Sequence, residues 1–244
     1  MILLGKEIAQ ISSASDAKTD STPMEASRYD RYAEFNPHYE IKMYKAHITM
    51  LDTFPVYMSF TRGLVHDSKE LHQHIMTLKQ IGANVDEYYL DAGYDSIHIH
   101  ADIWYHLGAH PYIQFGPRAI CHQEGSIRRI DHWVNKYWKN GGNVHDSLSS
   151  KLKFLFEHNR CEQVGRYIRN TNIANPDFHS YYSKRNACER IHDHIKDTVK
   201  FDVRGIRNLS KPLYAFVNFV VYQCLILTNL HRGAMPMNSF AKYY

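Results

Sequence analysis

Hydrophobic positions fall at strand-like spacing over Met43–Leu51 and again over Val56–Thr61, with Asp52-Thr53-Phe54-Pro55 between them reading as a hairpin turn. Gly63 ends the second run, and the period then changes. Leu71, Ile75, Leu78 and Ile81 are spaced by four, three and three, which predicts a helix. Asp67, followed by Glu70, reads as a capping box ahead of that helix, and Gly82 closes it. Glu87–Leu90 is a short strand ending at Asp91, Asp95 is placed to cap a helix running to about Leu107, and Pro111–Phe115 is a further strand. Residues 12–36 are polar and turn-rich around Thr19-Asp20-Ser21-Thr22-Pro23.

This alternation of strands and helices after an initial hairpin predicts a mixed α/β sheet. Residues 117–177 differ in character, holding Trp133, Trp138, Gly141-Gly142 and several basic residues, and read as a mostly helical insertion. A helix is expected from about Phe178 to Val199 and, beyond Gly205, an apolar helix from Leu209 to Leu230. The apolar run contains Asn218, Gln223, Thr228 and Asn229, which suit a buried core helix better than a membrane span. The expected organisation is one domain over residues 1–244, its core about 14–116 and 178–231 and its insertion about 117–177.

Composition adds limits. A hydrophobic fraction of 44% and a charged fraction of 22% are those of a soluble globular protein. A formal charge of +4 and a pI near 8.7 are compatible with a polyanionic partner without implying one. Cys121, Cys161, Cys188 and Cys224 form no C-x-x-C pair, which argues against a zinc site or disulfide framework and for reduced thiols in a cytosolic setting. Among the 17 histidines, His72 and His74, like His192 and His194, lie two apart and diverge on a helix, and no H-E-x-x-H is present. Met1–Ile11 carries Lys6 and Glu7 and lacks a signal-peptide layout.

The candidate chemistry begins on the 178–199 helix. With Tyr182 at zero and about 100° per residue, Arg185, Glu189 and Lys196 fall near roughly −60°, −20° and −40°. A phenol, a guanidinium, a carboxylate and an amine then share one face, while Cys188, Ile191, Ile195 and Val199 lie on the other. A solvated face with an Arg185–Glu189 pair has the same spacing. The functional reading is a metal-binding carboxylate flanked by phosphate-holding groups.

Tyr182-x2-Arg185-x3-Glu189-x6-Lys196 resembles the Tyr-Arg-Glu-Lys signature of DDE insertion-sequence transposases. Leu90-Asp91-Ala92-Gly93-Tyr94-Asp95-Ser96 is similar to the family's second-Asp segment, and Thr19-Asp20-Ser21-Thr22 to its first, with Asp16 a weaker candidate. Gly63-Leu64-Val65-His66-Asp67-Ser68 resembles the stretch before the family's first helix, and Asp67 is left its capping role. The resemblance implies a ribonuclease-H-like α/β fold: a mixed sheet flanked by helices, with a mostly helical insertion before the last catalytic helix.

It also implies a function, metal-dependent phosphodiester cleavage and strand transfer at transposon ends. Asp20, Asp91 and Glu189 are then the catalytic and metal-binding triad, holding Mg²⁺ or Mn²⁺, in a pair of ions, as oxygen-rich sites of hard cations do. Tyr182, Arg185 and Lys196 become the DNA-binding residues. The implied partner is double-stranded DNA, both transposon end and target, with no membrane, a homodimer on paired ends, and a cytoplasmic, nucleoid-associated location. Arg128, Arg129, Trp133, Lys136, Trp138 and Lys139 suit DNA contact, and packing of an amphipathic helix on Ile130, Trp133, Val134 and Tyr137 explains them equally well. The few residues ahead of Asp20 point to a copy shortened at its N-terminus, so the alternative is an inactive or repurposed DNA-binding remnant.

Overall fold

The computed structural model describes residues 1–115, 123–138, 147–186, 195, 206 and 208–233. The chain separates into two compact units, residues 1–85 with 185–244, and residues 86–184.

The first unit is built on an antiparallel sheet of β1 (Asp16–Glu25), β2 (Glu34–Asn36), β3 (Ile41–Leu51) and β4 (Phe54–Arg62). β3 is the long middle strand. It pairs β1 from Ala17 opposite Leu51 to Glu25 opposite Met43, and its other edge is shared by β4 and, beyond it, β2. The predicted hairpin is β3–β4, with a tighter turn than expected: Phe54 and Pro55 already belong to β4, and Asp52 takes the positive φ of 51° that the turn needs. A register shift between Thr49 and Met50 accommodates Pro55, which has no N–H to offer β3.

Polar residues 16–25 form a strand rather than the turn-rich segment expected. Strand pairing with β3 satisfies their backbone groups, and Ala17, Lys18, Thr19, Thr22 and Met24 are buried. A buried seam of hydroxyls and imidazoles then links the side chains on one face. Thr19 Oγ1 meets Thr49 Oγ1 at 2.5 Å, and Thr49 Oγ1 bonds His74 Nδ1 at 2.6 Å. Ser59 Oγ bonds His74 Nε2 at 2.9 Å, and His47 Nε2 bonds Thr61 Oγ1 at 2.8 Å. His74 comes from α2 (Leu71–Ile81), whose Leu71, Ile75, Leu78 and Ile81 are all buried and whose end is Gly82 at φ 69°, as predicted.

The predicted capping box is overturned. A short 3₁₀ turn, Asp67–Lys69, precedes α2, and the side chain accepting its capping N–H bond is His66. Asp67 is drawn away by stronger partners: Lys45 Nζ at 2.9 Å and the Ser21 hydroxyl, which donates at 2.9 Å. Glu70 likewise accepts from Ser59 Oγ at 3.1 Å.

α1 (Ile2–Ser12) and the last helix, α8 (Ser210–His231), pack on each other and on β4. A Cβ added at Gly5 would sit 2.2 Å from the Val56 carbonyl oxygen, so α1 comes that close only because residue 5 is glycine. α8 is the one helix among the described residues long and apolar enough to cross a membrane. Its Ala215, Phe219, Tyr222, Ile226 and Leu227 are buried, and two of its polar side chains donate to the sheet. Gln223 donates to the Val56 carbonyl at 2.9 Å and Lys211 to the Glu25 carbonyl. Just ahead of α8, Asn208 N donates to buried Asp30, which also accepts from Tyr32 N, Ala33 N and Tyr44 Oη.

The second unit holds β5 (Glu87–Leu90) and β6 (His110–Ile113), paired in parallel and joined through α3 (Ile97–Leu107). α4 (Gln123–Trp138), α5 (Leu148–Glu157), α6 (Cys161–Ala174) and the short α7 (Phe178–Tyr182) follow. Ala101, Ile130, Val134, Leu152, Leu155, Val164 and Ile168 form one core, and Tyr89, Tyr112 and Phe178 a second. Trp133 packs against the first of these, with the Arg160 guanidinium 4.1 Å from its ring centre and Lys136 Nζ at 4.9 Å, which favours the packing account of this tryptophan. A Cβ at Gly165 would fall 1.8 Å from the Ile97 carbonyl oxygen, so α6 and α3 touch backbone to backbone there. The whole is a mixed α/β fold, antiparallel in one unit and parallel in the other, compatible with the ribonuclease-H-like expectation.

Candidate active site

Asp20 stands in the middle of β1, opposite Ile48 of β3. Successive side chains on a strand point to opposite faces, so Ser21 turns toward the Asp67–Lys45 pair while Asp20 faces the other way. Its Oδ1 accepts from Ser21 N at 2.9 Å, and its Oδ2 accepts from Arg185 Nη2 at 3.1 Å. Two of the residues singled out from sequence, 165 positions apart, are therefore an ion pair. Asp16, the weaker candidate, is the first residue of β1, where its N–H and carbonyl are engaged by Asp52 at the hairpin end.

Asp91 follows the last residue of β5, at the carboxyl end of a parallel strand, where α/β sheets commonly place ligand-binding groups. The expected division of labour with Asp95 is reversed. Asp91 Oδ1 accepts from Gly93 N at 2.9 Å and caps the 3₁₀ turn Ala92–Tyr94, whereas α3 begins after Ser96 without a side-chain cap. Asp95 is held instead by Arg169, Nε at 2.8 Å and Nη2 at 2.6 Å, with His100 Nε2 at 3.3 Å. Burial pushes the Asp95 carboxyl up, but these hydrogen bonds outweigh it and bring it down to about 2. A bidentate guanidinium 74 residues away overrides the local capping preference.

Tyr182 closes α7. Its ring stacks on Phe178, with centres 5.8 Å apart, and its hydroxyl donates to Gln114 Oε1 at 3.2 Å. Gln114 N in turn donates to the carbonyl of Leu90, the residue before Asp91. One residue thus ties Tyr182 to the end of β5. Lys184 pairs with Glu87 at 2.8 Å and lies over Tyr89, a cation beside β5 that sequence reasoning missed because its partner lies 97 positions away.

The uninterrupted helix expected from Phe178 to Val199 is not what forms. α7 ends at Tyr182 and a 3₁₀ turn, Ser183–Asn186, takes over. Ser183 Oγ donates to the Ser180 carbonyl at 2.7 Å and competes with the helical ladder there. The constant 100° step used to place four residues on one face therefore fails between Tyr182 and Arg185. Ile195 is helical and fully buried, as its aliphatic position predicted. Glu189 and Lys196 lie outside the described residues, as do Lys139 and the side chain of Trp138.

The donor chemistry of Asp20 fits a divalent cation. It offers hard carboxylate oxygen, and the Arg185 guanidinium stands against Oδ2. Comparison with curated proteins and with solved structures finds no match. The family model described as the Transposase DDE domain matches residues 16–211, from the first residue of β1 into the first turn of α8, and the chain belongs to that family.

Proposed function

We propose that this chain is the catalytic core of a metal-dependent DNA transposase, cleaving phosphodiesters at transposon ends and joining the freed strand to target DNA. The observation that carries the reading is the Asp20–Arg185 pair, the first-Asp candidate bound to the arginine of the Tyr-Arg-Glu-Lys signature. Asp91 at the carboxyl end of β5, with Tyr182 tied to the same strand end, supports it.

In this reading Asp20, Asp91 and Glu189 hold Mg²⁺ or Mn²⁺, in a pair of ions. Bound there, the ions supply activation of the attacking oxygen and charge neutralisation at the leaving one. Arg185 and Lys196 grip phosphate oxygens, and Tyr182 positions the DNA end. Water attacks phosphorus at the transposon end and the P–O bond to the 3′-oxygen breaks, freeing a 3′-hydroxyl. That hydroxyl then attacks phosphorus of a target phosphodiester, and the target strand's own 3′-oxygen leaves as a new 3′-hydroxyl. Each step is an in-line displacement, so aligning attacking and leaving oxygens is the protein's main task.

Incubation with labelled duplex DNA and Mn²⁺ or Mg²⁺ tests this. Nicking or strand joining that disappears in Asp91→Asn and Glu189→Gln is the expected outcome. DNA binding without cleavage under either metal, unchanged by those substitutions, would replace the enzyme by a DNA-binding remnant.

A further inference from the structure

The segment joining β1 to β3 gathers exposed rings. Tyr29, Tyr32, Phe35 and Tyr39 are 62%, 45%, 58% and 44% exposed, and Tyr181 is the other exposed aromatic side chain among the described residues. Large apolar groups held in water in one cluster mark a surface that binds something. Their backbone is pinned. Fully buried Asp30 accepts from Tyr32 N at 2.9 Å and Ala33 N at 3.0 Å. Buried Asn36 accepts from His38 N at 2.9 Å and donates through Nδ2 to the Gly63 carbonyl at 2.8 Å. Two buried polar side chains thus fix the chain on either side of Phe35, and the rings are positioned in advance.

Cations stand among the rings. Arg28 and Arg31 are exposed, and the Arg28 guanidinium lies 4.7 Å from the Tyr29 ring centre. Two of the nearby acids are committed elsewhere: Asp30 is buried, and Glu34 accepts from Leu64 N at 3.1 Å with Arg62 3.8 Å away. Glu40, at the turn into β3, is exposed.

Strand register relates this surface to Asp20. Directly opposed residues of antiparallel strands share a face, as do alternate residues along one strand. Phe35 is opposite Lys42, Asp20 is opposite Ile48, and Lys42 and Ile48 are an even number of positions apart on β3 with no register shift between them. Phe35 and Asp20 therefore lie on the same face of the sheet. From Asp20 to Glu25, where β1 ends, the strand runs about 17 Å at ~3.3 Å per residue.

Resting on the reading of Asp20 as part of a DNA-cutting site, we propose that residues 28–39 form a platform for single-stranded DNA beside that site. Unpaired bases stack on Tyr32 and Phe35, and Arg28 and Arg31 take the phosphates between them. Duplex DNA hides its base faces in its own stack and offers this surface its phosphates alone. The platform therefore prefers a strand whose bases are unpaired.

The decisive measurement is anisotropy titration of the full chain with a labelled oligo-dT strand and a labelled duplex of equal length, in EDTA so that no cleavage intervenes. Tyr32→Ala and Phe35→Ala should each weaken single-strand binding about tenfold, the loss of one stacked base, and change duplex binding by less than about twofold. Phe35→Trp should keep the affinity. Arg28→Gln and Arg31→Gln should weaken binding of both DNAs, and each should reduce the single-strand salt slope by about 0.7. Thermal unfolding in the same samples should be unchanged, because these side chains are exposed.

Alanine variants that bind single strands as tightly as the unsubstituted protein overturn the platform. Equal loss of single-strand and duplex binding also overturns it, in favour of a general DNA contact. Loss of self-association in gel filtration with DNA affinity intact would make the rings an interface between copies of the chain instead. In each of these cases cleavage that still depends on Asp91 leaves the transposase reading standing. If the unsubstituted chain binds neither DNA, that reading fails and the platform goes with it.

Discussion

The candidate carboxylates of the two units are supported in different ways. In the first, charge and hydroxyl groups inside the fold find partners far away in sequence: Asp20 with Arg185, Asp67 with Lys45 and Ser21, His74 with Thr49 and Ser59. In the second, Asp91 at the strand end accepts from its own turn, although Asp95 nearby depends on Arg169, 74 positions away, and helices meet through apolar clusters and bare backbone at Gly165. Asp91 can thus be formed correctly by a short local segment, whereas the surroundings of Asp20 exist only once the unit has folded. The contrast separates two carboxylates that the proposed chemistry treats alike.

The sharpest test of that contrast is charge removal at both positions. Asp20→Asn and Asp91→Asn should each reduce metal-dependent DNA cleavage by about a thousandfold or more, above 4 kcal/mol in the barrier by the usual ~1.4 kcal/mol per decade. Measured by strand nicking, equal losses would mark them as one site despite their different supports.

Acid should act chiefly on the first unit. Burial pushes the His47 ring down to about 4, against a smaller upward pull from Asp67, and burial pushes His74 down to about 3. In the unfolded chain both titrate near 6.5. Between those values the unfolded state binds more protons, so stability present above pH 6.5 is lost as pH falls toward 4 and 3. The expected loss is roughly 3–5 kcal/mol per ring across the full window, read from denaturant unfolding at stepped pH. His100 in the second unit is also lowered by burial, but Asp95 beside it pulls the other way. Amide exchange that opens β3 and α2 before α3 and α6 on acidification would support the contrast, and the reverse order would break it.

Gly165→Ala probes the second unit. With 1.8 Å between the new Cβ and the Ile97 carbonyl, α6 must move off α3, at a cost of about 3 kcal/mol measured by chemical denaturation.

The smallest effects are the most discriminating. Asp91→Asn keeps an acceptor for Gly93 N and should change stability by less than about 0.5 kcal/mol, because Asn and Asp cap about equally well. Asp20→Asn loses the charge that Arg185 pairs with, and should cost about 2 kcal/mol. Similar values at the two positions would erase the difference between local and distant support.

Where one segment contains both the signal and the partner, the sequence was readable. The β3–β4 hairpin, α2 with Gly82, β5 ending at Asp91, and α8 all follow from period, turn residues and glycine placement. β1 was not readable, because Ser15–Pro23 is polar and becomes a strand only by pairing with β3 and by the hydroxyl seam. The capping roles of Asp67 and Asp95 went astray for a related reason. Each assignment compared local options, and the outcome was set by Lys45, Ser21 and Arg169, 22, 46 and 74 positions from the residue they bind. The face shared by Tyr182 and Arg185 assumed a regular helix that Ser183 interrupts.

The amino-acid sequence by itself determined the family, which is matched over residues 16–211, because such a match reads residue types in their order along the chain. Only the tertiary structure decided what Arg185 binds. A guanidinium on a helical segment has many eligible carboxylates, and the fold brings Asp20 within 3.1 Å of Arg185 in a place where burial makes an unpaired charge costly.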